Sequence, residues 1–424
     1  MVRKRGDTVA IGKRVWFGLP MLVFILLRVV LLSVLYHVTG GSEFTSDFWV
    51  FDLGSKPLAV ITFATDVSGY SQPPLYPLVL APFAFLSSAV FNNFLASRVS
   101  FTLFEFIAFL ITARLLAVSD DIDIKGRMKA LFIMAVSPLG FMVGTVMRQE
   151  EAIVAIFVAA VLFAVKKGYI RGAALLTFFG TITGKILFGL MFFPLILLKG
   201  SRKEVLAYGI IPSAIVIPLY CLIGYSRTGI IPFISFAPSD IRFCTSSIRF
   251  LVYFWNFSGD FIKWFSISIL TAALIILWGK FRNIERRDFP MMVLLSFGVL
   301  YLCFYHINPE YYIFILPLLA IIPVSGRFSR FATPLHWGHI VLAIGSWGHN
   351  ILFGIRMFAR GESAYSHSKE MVLQFYNRFF GFLPIKTVEM ALLALTLLSL
   401  CLIFYISYNG LSYARKEDGR IGMS

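Results

Sequence analysis

Residues 13–41 read KRVWFGLPMLVFILLRVVLLSVLYHVTGG. Two bases precede an apolar run from Val15 to Val38 in which Arg28 is the one permanently charged side chain. A helix needs about 20 apolar residues to cross a bilayer, and this run has them. A cleaved leader would carry an apolar core of roughly 7–15 residues and a small-residue cleavage site. This run is longer and closes on Thr39-Gly40-Gly41, so it reads as a retained first span. Similar runs follow at about 98–118, 130–147, 152–166, 171–184, 186–199, 204–224, 261–280, 289–306, 311–325, 337–357 and 387–408. The expected fold is an all-α, polytopic transmembrane helical bundle of about twelve spans, with interfacial helices in the first outer loop.

Composition agrees with that reading. The chain has 424 residues, is 58% hydrophobic and has only 14% charged residues; its mean hydropathy is +0.82. Soluble domains carry roughly 25% charge, so these residues are too few to cover a water-facing surface. A soluble enzyme, a disordered chain and a basic nucleic-acid-binding domain are therefore excluded. The net charge of +16 has to be explained within a membrane. Of the four cysteines, Cys221, Cys303 and Cys401 lie in apolar runs, and no disulfide is expected.

Sidedness follows from where the bases fall, because short cytoplasmic loops are enriched in Lys and Arg. The stretch 74–92 contains Pro74, Pro77 and Pro82. If it does not cross, the cytoplasmic segments are the N-terminus, 119–129, 166–171, 199–203, 280–288, 326–331 and the tail, which together hold 23 of the 38 bases. If it crosses, every later basic loop faces outward. So 74–92 is expected to be a partly embedded helix in a first outer loop, 39–97. The chain divides into a cytoplasmic basic N-terminus (1–14), an N-terminal module (15–224), a C-terminal module (225–408) and a cytoplasmic tail (409–424).

That orientation gathers reactive groups on the outer face. Asp47 and Asp52 lie among aromatics in Ser46-Asp47-Phe48-Trp49-Val50-Phe51-Asp52, the composition of an interfacial helix. Asp52 and Asp66 read first as solvated loop acids. Arg148-Gln149-Glu150-Glu151 joins two spans with no loop between them, and carboxylates at that depth must pair or face a polar cavity. Glu150 and Glu151 point about 100° apart on a helix, so only one faces inward. Glu150 is the favoured cavity residue, with an Arg148–Glu151 pair as the alternative. Lys185 stands in the polar break Thr181-Ile182-Thr183-Gly184-Lys185 between two half-length spans. It suits a phosphate as a point charge, or it snorkels to the interface. Arg242 and Arg249 are two helical turns apart and serve either a phosphate or anionic lipid. Arg28 is either functional or paired to a partner such as Glu105. No His/Cys cluster has metal-ligand spacing and no Gly-rich phosphate loop is present. Hence no nucleotide cofactor is expected, and a divalent metal, left open by the chemistry, has no support from ligand spacing.

These residues resemble a known family. One cytoplasmic-start span, an outer loop with Ser46-Asp47-Phe48-Trp49, and then Gln72-Pro73-Pro74-Leu75-Tyr76-Pro77 resemble the GT-C glycosyltransferases, with their early loop Asp and Tyr-Pro-Pro-Leu element. Ser137-Pro138-Leu139-Gly140 followed by Arg148-Gln149-Glu150-Glu151 is similar to elements of the mannosyltransferase that adds the first mannose to GPI anchors and of its bacterial, family 87-type relatives. Gly184-Lys185-Ile186 before Phe193-Pro194, and Asn308-Pro309-Glu310-Tyr311-Tyr312 before Leu316-Pro317, resemble later elements of the same family. Ser-Gln-Pro-Pro-Leu stands where the family has Tyr-Pro-Pro-Leu, and the first loop has no Asp-X-Asp; the resemblance therefore names neither sugar nor acceptor.

The resemblance implies inverting transfer of a sugar, mannose or similar, from a polyprenyl-phosphate-linked donor to a glycan, lipid or protein acceptor on the non-cytoplasmic face. The membrane would be the plasma membrane of a prokaryote or the ER membrane of a eukaryote. Asp47 is then the general base and Glu150 a second acid. Lys185, with Arg148, Arg242 and Arg249, holds the donor phosphate. Glu310, Tyr311, His306, Asp52 and Tyr76 line the sugar or acceptor pocket. Besides membrane lipids no other partner, and no nucleic acid, is implied. The alternative is a transporter or lipid-linked sugar flippase, for which short helical pairs with polar breaks also speak, although no internal repeat relates the two halves. A non-catalytic scaffold is a third reading, against which the outer-face acids speak.

Overall fold

The apolar runs are largely helical in the computed structural model, which describes residues 4–41, 75–147, 149, 151–228, 259–358, 374, 377–378 and 381–421. The helices are α1 (Lys4–Thr39), α2 (Tyr76–Ser88), α3 (Asn93–Ala117), α4 (Ile124–Val136), α5 (Pro138–Phe141), α6 (Glu151–Lys167), α7 (Ile170–Thr183), α8 (Phe192–Leu197), α9 (Arg202–Val205), α10 (Ile211–Thr228), α11 (Gly259–Phe281), α12 (Phe289–Cys303), α13 (Leu316–Ile321), α14 (Ala332–Phe358) and α15 (Ile385–Ile421). Among the described residues there is no strand, only one isolated parallel bridge between Leu198 and Ile284. Local chemistry sets several starts. Asn92 and Asp123 accept from the backbone N–H groups of Leu95 and Gly126 at 3.0 and 2.7 Å, and so satisfy donors that a helix N-terminus leaves open. Gly168 ends α6 with a φ of +82°, a backbone angle that favours glycine.

Six stretches are long and apolar enough to cross a membrane: Trp16–Thr39, Asn93–Ala117, Ile124–Val146, Arg202–Arg227, Phe261–Phe281 and Ile385–Lys416. Their surfaces agree. Leu222 and Ile276 are 65% and 67% exposed, and such exposed aliphatic faces are compatible with a membrane around them. The other expected crossings fall on shorter helices, and on Pro309–Val324 and Gly326–His349, which meet at 105°. The 13 residues of α2 cover roughly 20 Å, too little for a crossing. Ser87 and Ser100 share a hydrogen bond at 3.1 Å and the Phe83 and Phe104 rings lie 4.6 Å apart, so α2 folds back along α3 as a hairpin arm.

The basic loops converge on one end of the bundle. Lys166 pairs with Asp121 at 3.1 Å, Arg171 with Glu204 at 3.2 Å and Arg327 with Asp288 at 3.3 Å. Arg327 also donates to the Ala414 carbonyl, and the Leu198–Ile284 bridge ties the 199–203 and 280–288 loops together. Loops far apart in sequence thus form one basic rim.

Inside the bundle, Arg28 of α1 meets Glu105 of α3 at 3.0 Å, both fully buried. The guanidinium also donates to the Ala135 carbonyl of α4 and lies 3.8 Å over the Phe24 ring. The other carboxylate oxygen accepts from the Thr145 amide at 3.1 Å. Gly144 is required beside it, since a Cβ there would overlap the Glu105 carboxylate. Of the two readings open for Arg28, the structural pair is the one found.

Candidate functional site

Three short helices rise from the basic rim to nearly one height. α6, α7 and α12 have 17, 14 and 15 residues, and so lengths of roughly 25, 21 and 22 Å. Their far ends, Glu151, Thr183 and Cys303, therefore come to one level, while the 25 residues of α3 continue well beyond it. Polar groups at these ends thus lie at the end of the three helices opposite the basic rim.

At that level α7 stops at Gly184, where a Cβ would lie 2.8 Å from Val154 of α6 and 2.9 Å from the Gly180 carbonyl. Lys185 follows in extended conformation, which turns its side chain toward the start of α6. Its ammonium meets the Glu151 carboxylate at 2.6 Å; the side chains are 12% and 1% exposed. The same ammonium lies 5.2 Å from the Tyr311 ring centroid, a cation–π distance. Tyr311 belongs to the 3-10 turn Pro309–Ile315. Tyr301 donates to the Tyr311 carbonyl at 2.7 Å, fixing that turn on α12.

His306 lies in the joint between α12 and this turn, with its ring 6.4 Å from that of Tyr311. His306 is buried and lies within electrostatic reach of the Lys185 ammonium. The first-loop side also arrives here, because the Leu75 amide donates to the Ile182 carbonyl at 2.9 Å. Tyr76, fully buried, opens α2 at that junction.

The structure thus brings together Lys185, Tyr311 and His306 of the sequence-chosen residues, and attaches the backbone before Tyr76 to the same polar break. Glu310 is half-buried in the same turn. Asp47, Asp52, Arg148, Glu150, Arg242 and Arg249 lie outside the described residues. The carboxylate on Lys185 is Glu151, the neighbour of the acid that the sequence favoured. Arg98 was not singled out from sequence, yet it is fully buried on α3, its guanidinium 3.8 Å over Phe94.

The Ser137-Pro138-Leu139-Gly140 stretch serves packing. Ser137 caps α5 and hydrogen-bonds His339 of α14 at 2.6 Å, and Gly140 leaves room for Leu316 and the Arg28 guanidinium. Comparison of the chain with known protein families and with curated proteins finds no match.

Proposed function

We propose that the protein is a membrane glycosyltransferase that moves a sugar from a polyprenyl-phosphate-linked donor to a glycan, lipid or protein acceptor at the membrane face opposite the basic rim. The observation that carries this reading is the Lys185–Glu151 pair at a broken helix, roofed by Tyr311 and His306. A buried carboxylate holds the ammonium in place before substrate arrives, so little reorganisation is needed when it meets a phosphate oxygen. The depth fits a lipid-linked phosphate entering sideways from the far leaflet. The basic rim then faces the cytoplasm, as short basic loops do, and the reading retains the GT-C-type fold and its larger span number as part of the proposal.

In mechanism, the acceptor hydroxyl attacks the anomeric carbon as the carbon–oxygen bond to phosphate breaks, and configuration inverts. Asp47 takes the acceptor proton. Lys185 neutralises charge on the departing polyprenyl phosphate. Asp47→Asn is expected to lower transfer from a labelled polyprenyl-phosphate sugar about 10²–10⁴-fold; unchanged transfer in membranes carrying this variant would remove the base assignment.

The runner-up is a lipid-linked sugar flippase, favoured by the 105° joint between Pro309–Val324 and Gly326–His349 and by the half-length helices. Purified protein in liposomes separates the two. Cleavage of the donor with transfer supports the enzyme, whereas movement of intact donor across the bilayer supports the flippase.

A further inference from the structure

A second polar feature lies at the opposite end of the molecule and plays no part in sugar transfer. A cavity of about 390 Å³ opens at the basic rim between the end of α11 and α15, lined by Phe281, Arg282, Asn283, Glu285, Leu411 and Arg415 among others. Its floor is held rigidly. The Ile284 amide donates to the Leu197 carbonyl at 2.9 Å and its own carbonyl accepts from Lys199 at 3.1 Å. Asn283 makes the turn with φ +65°, in the left-handed region that asparagine tolerates better than most residues.

The charges on the wall do not cancel across the cavity. Its two acids are engaged by bases outside the lining: Glu285 by Arg287 at 2.9 Å and Asp288 by Arg327 at 3.3 Å. Among the described residues Arg282 forms no ion pair, and Arg415 donates to the Lys280 carbonyl, which holds it at the rim. Phe281 and Leu411 supply an apolar wall at the ends of two apolar helices. Nearby, Arg202 lies 5.4 Å from the Trp278 ring, and Arg330 lies 3.4 Å from the Tyr413 ring, the aromatic and basic belt of a membrane surface.

We infer that this cavity binds a phosphate group between Arg282 and Arg415, either that of an anionic phospholipid headgroup or a soluble one. Basic pockets between helix ends suit such headgroups, and paired guanidinium groups suit phosphate.

The test uses full-length protein in nanodiscs of phosphatidylcholine alone or with phosphatidylglycerol, with lipid retention read by native mass spectrometry and Tm read in parallel. Retention of phosphatidylglycerol is expected in the wild type and to fall roughly fivefold in Arg282→Gln. Arg282 is exposed and makes no ion pair among the described residues, so its replacement leaves Tm in phosphatidylcholine unchanged. Arg415→Gln is expected to give a similar loss. A rise of Tm with inorganic phosphate or pyrophosphate in phosphatidylcholine alone, absent in Arg282→Gln, assigns the site to a soluble phosphate. Equal lipid retention and equal phosphate response in wild type and both variants overturn the inference.

Discussion

Lys185→Ala is expected to lower transfer from a polyprenyl-phosphate sugar by about 10²–10³-fold, the loss seen when one preorganised charge-stabilising donor is removed. The ammonium contributes only if it meets phosphate, so the comparison that matters is with its partner. Removing Lys185 alone leaves Glu151 buried at 1% exposure without its cation, which is costly in itself. Lys185→Met combined with Glu151→Met removes both charges together and restores a neutral interior. If the pair only ties the far ends of α6 and α7 together, the double variant recovers activity along with stability. If Lys185 holds the donor, the double variant is as stable as wild type yet stays inactive. Lys185→Arg keeps the charge with a broader, planar head, and is expected to retain part of the rate with a raised KM for donor. Full activity in the double variant would remove Lys185 from the phosphate site.

The distribution of charge made the architecture legible. Apolar runs and short basic loops sufficed to foresee an all-helical chain, and the basic segments do meet, through Lys166–Asp121, Arg327–Asp288 and the Leu198–Ile284 bridge. Lengths were less legible. Runs such as 186–199 and 311–325 look continuous in hydropathy, but Pro194 and Pro317 stand within them, and the chain builds them from 3-10 turns and six-residue helices. The site was partly legible. A lone lysine in a polar break announces itself, but its partner does not, because Glu150 and Glu151 are adjacent carboxylates and nothing local in the sequence marks which one meets Lys185. Packing decides it: the whole first turn of α6, Glu151 to Ala155, is buried, and a helix apolar on all sides gives no periodicity from which its rotation can be read. Arg98 escaped notice because it stands at the edge of a run, where a base reads as an interfacial anchor.

The largest effect on stability is expected at Arg28–Glu105. Arg28→Leu leaves a buried carboxylate that still accepts from the Thr145 amide but has lost its cation; Glu105→Leu leaves a guanidinium with the Ala135 carbonyl and the Phe24 ring. Breaking a buried ion pair from one side costs about 3–5 kcal/mol. Each single variant should therefore unfold far more readily, read as a large drop in Tm or a loss of folded protein on extraction. Replacing both together removes the uncompensated charge, and the double variant is expected to recover most of the loss, a coupling of several kcal/mol that a cycle measures directly. Recovery will be incomplete, because Glu105 also satisfies the Thr145 amide in the turn that follows Gly144, and leucine does not. A double variant no more stable than the sum of its singles would mean that the two residues act independently, and that α1 is held to α3 and α4 by apolar packing alone.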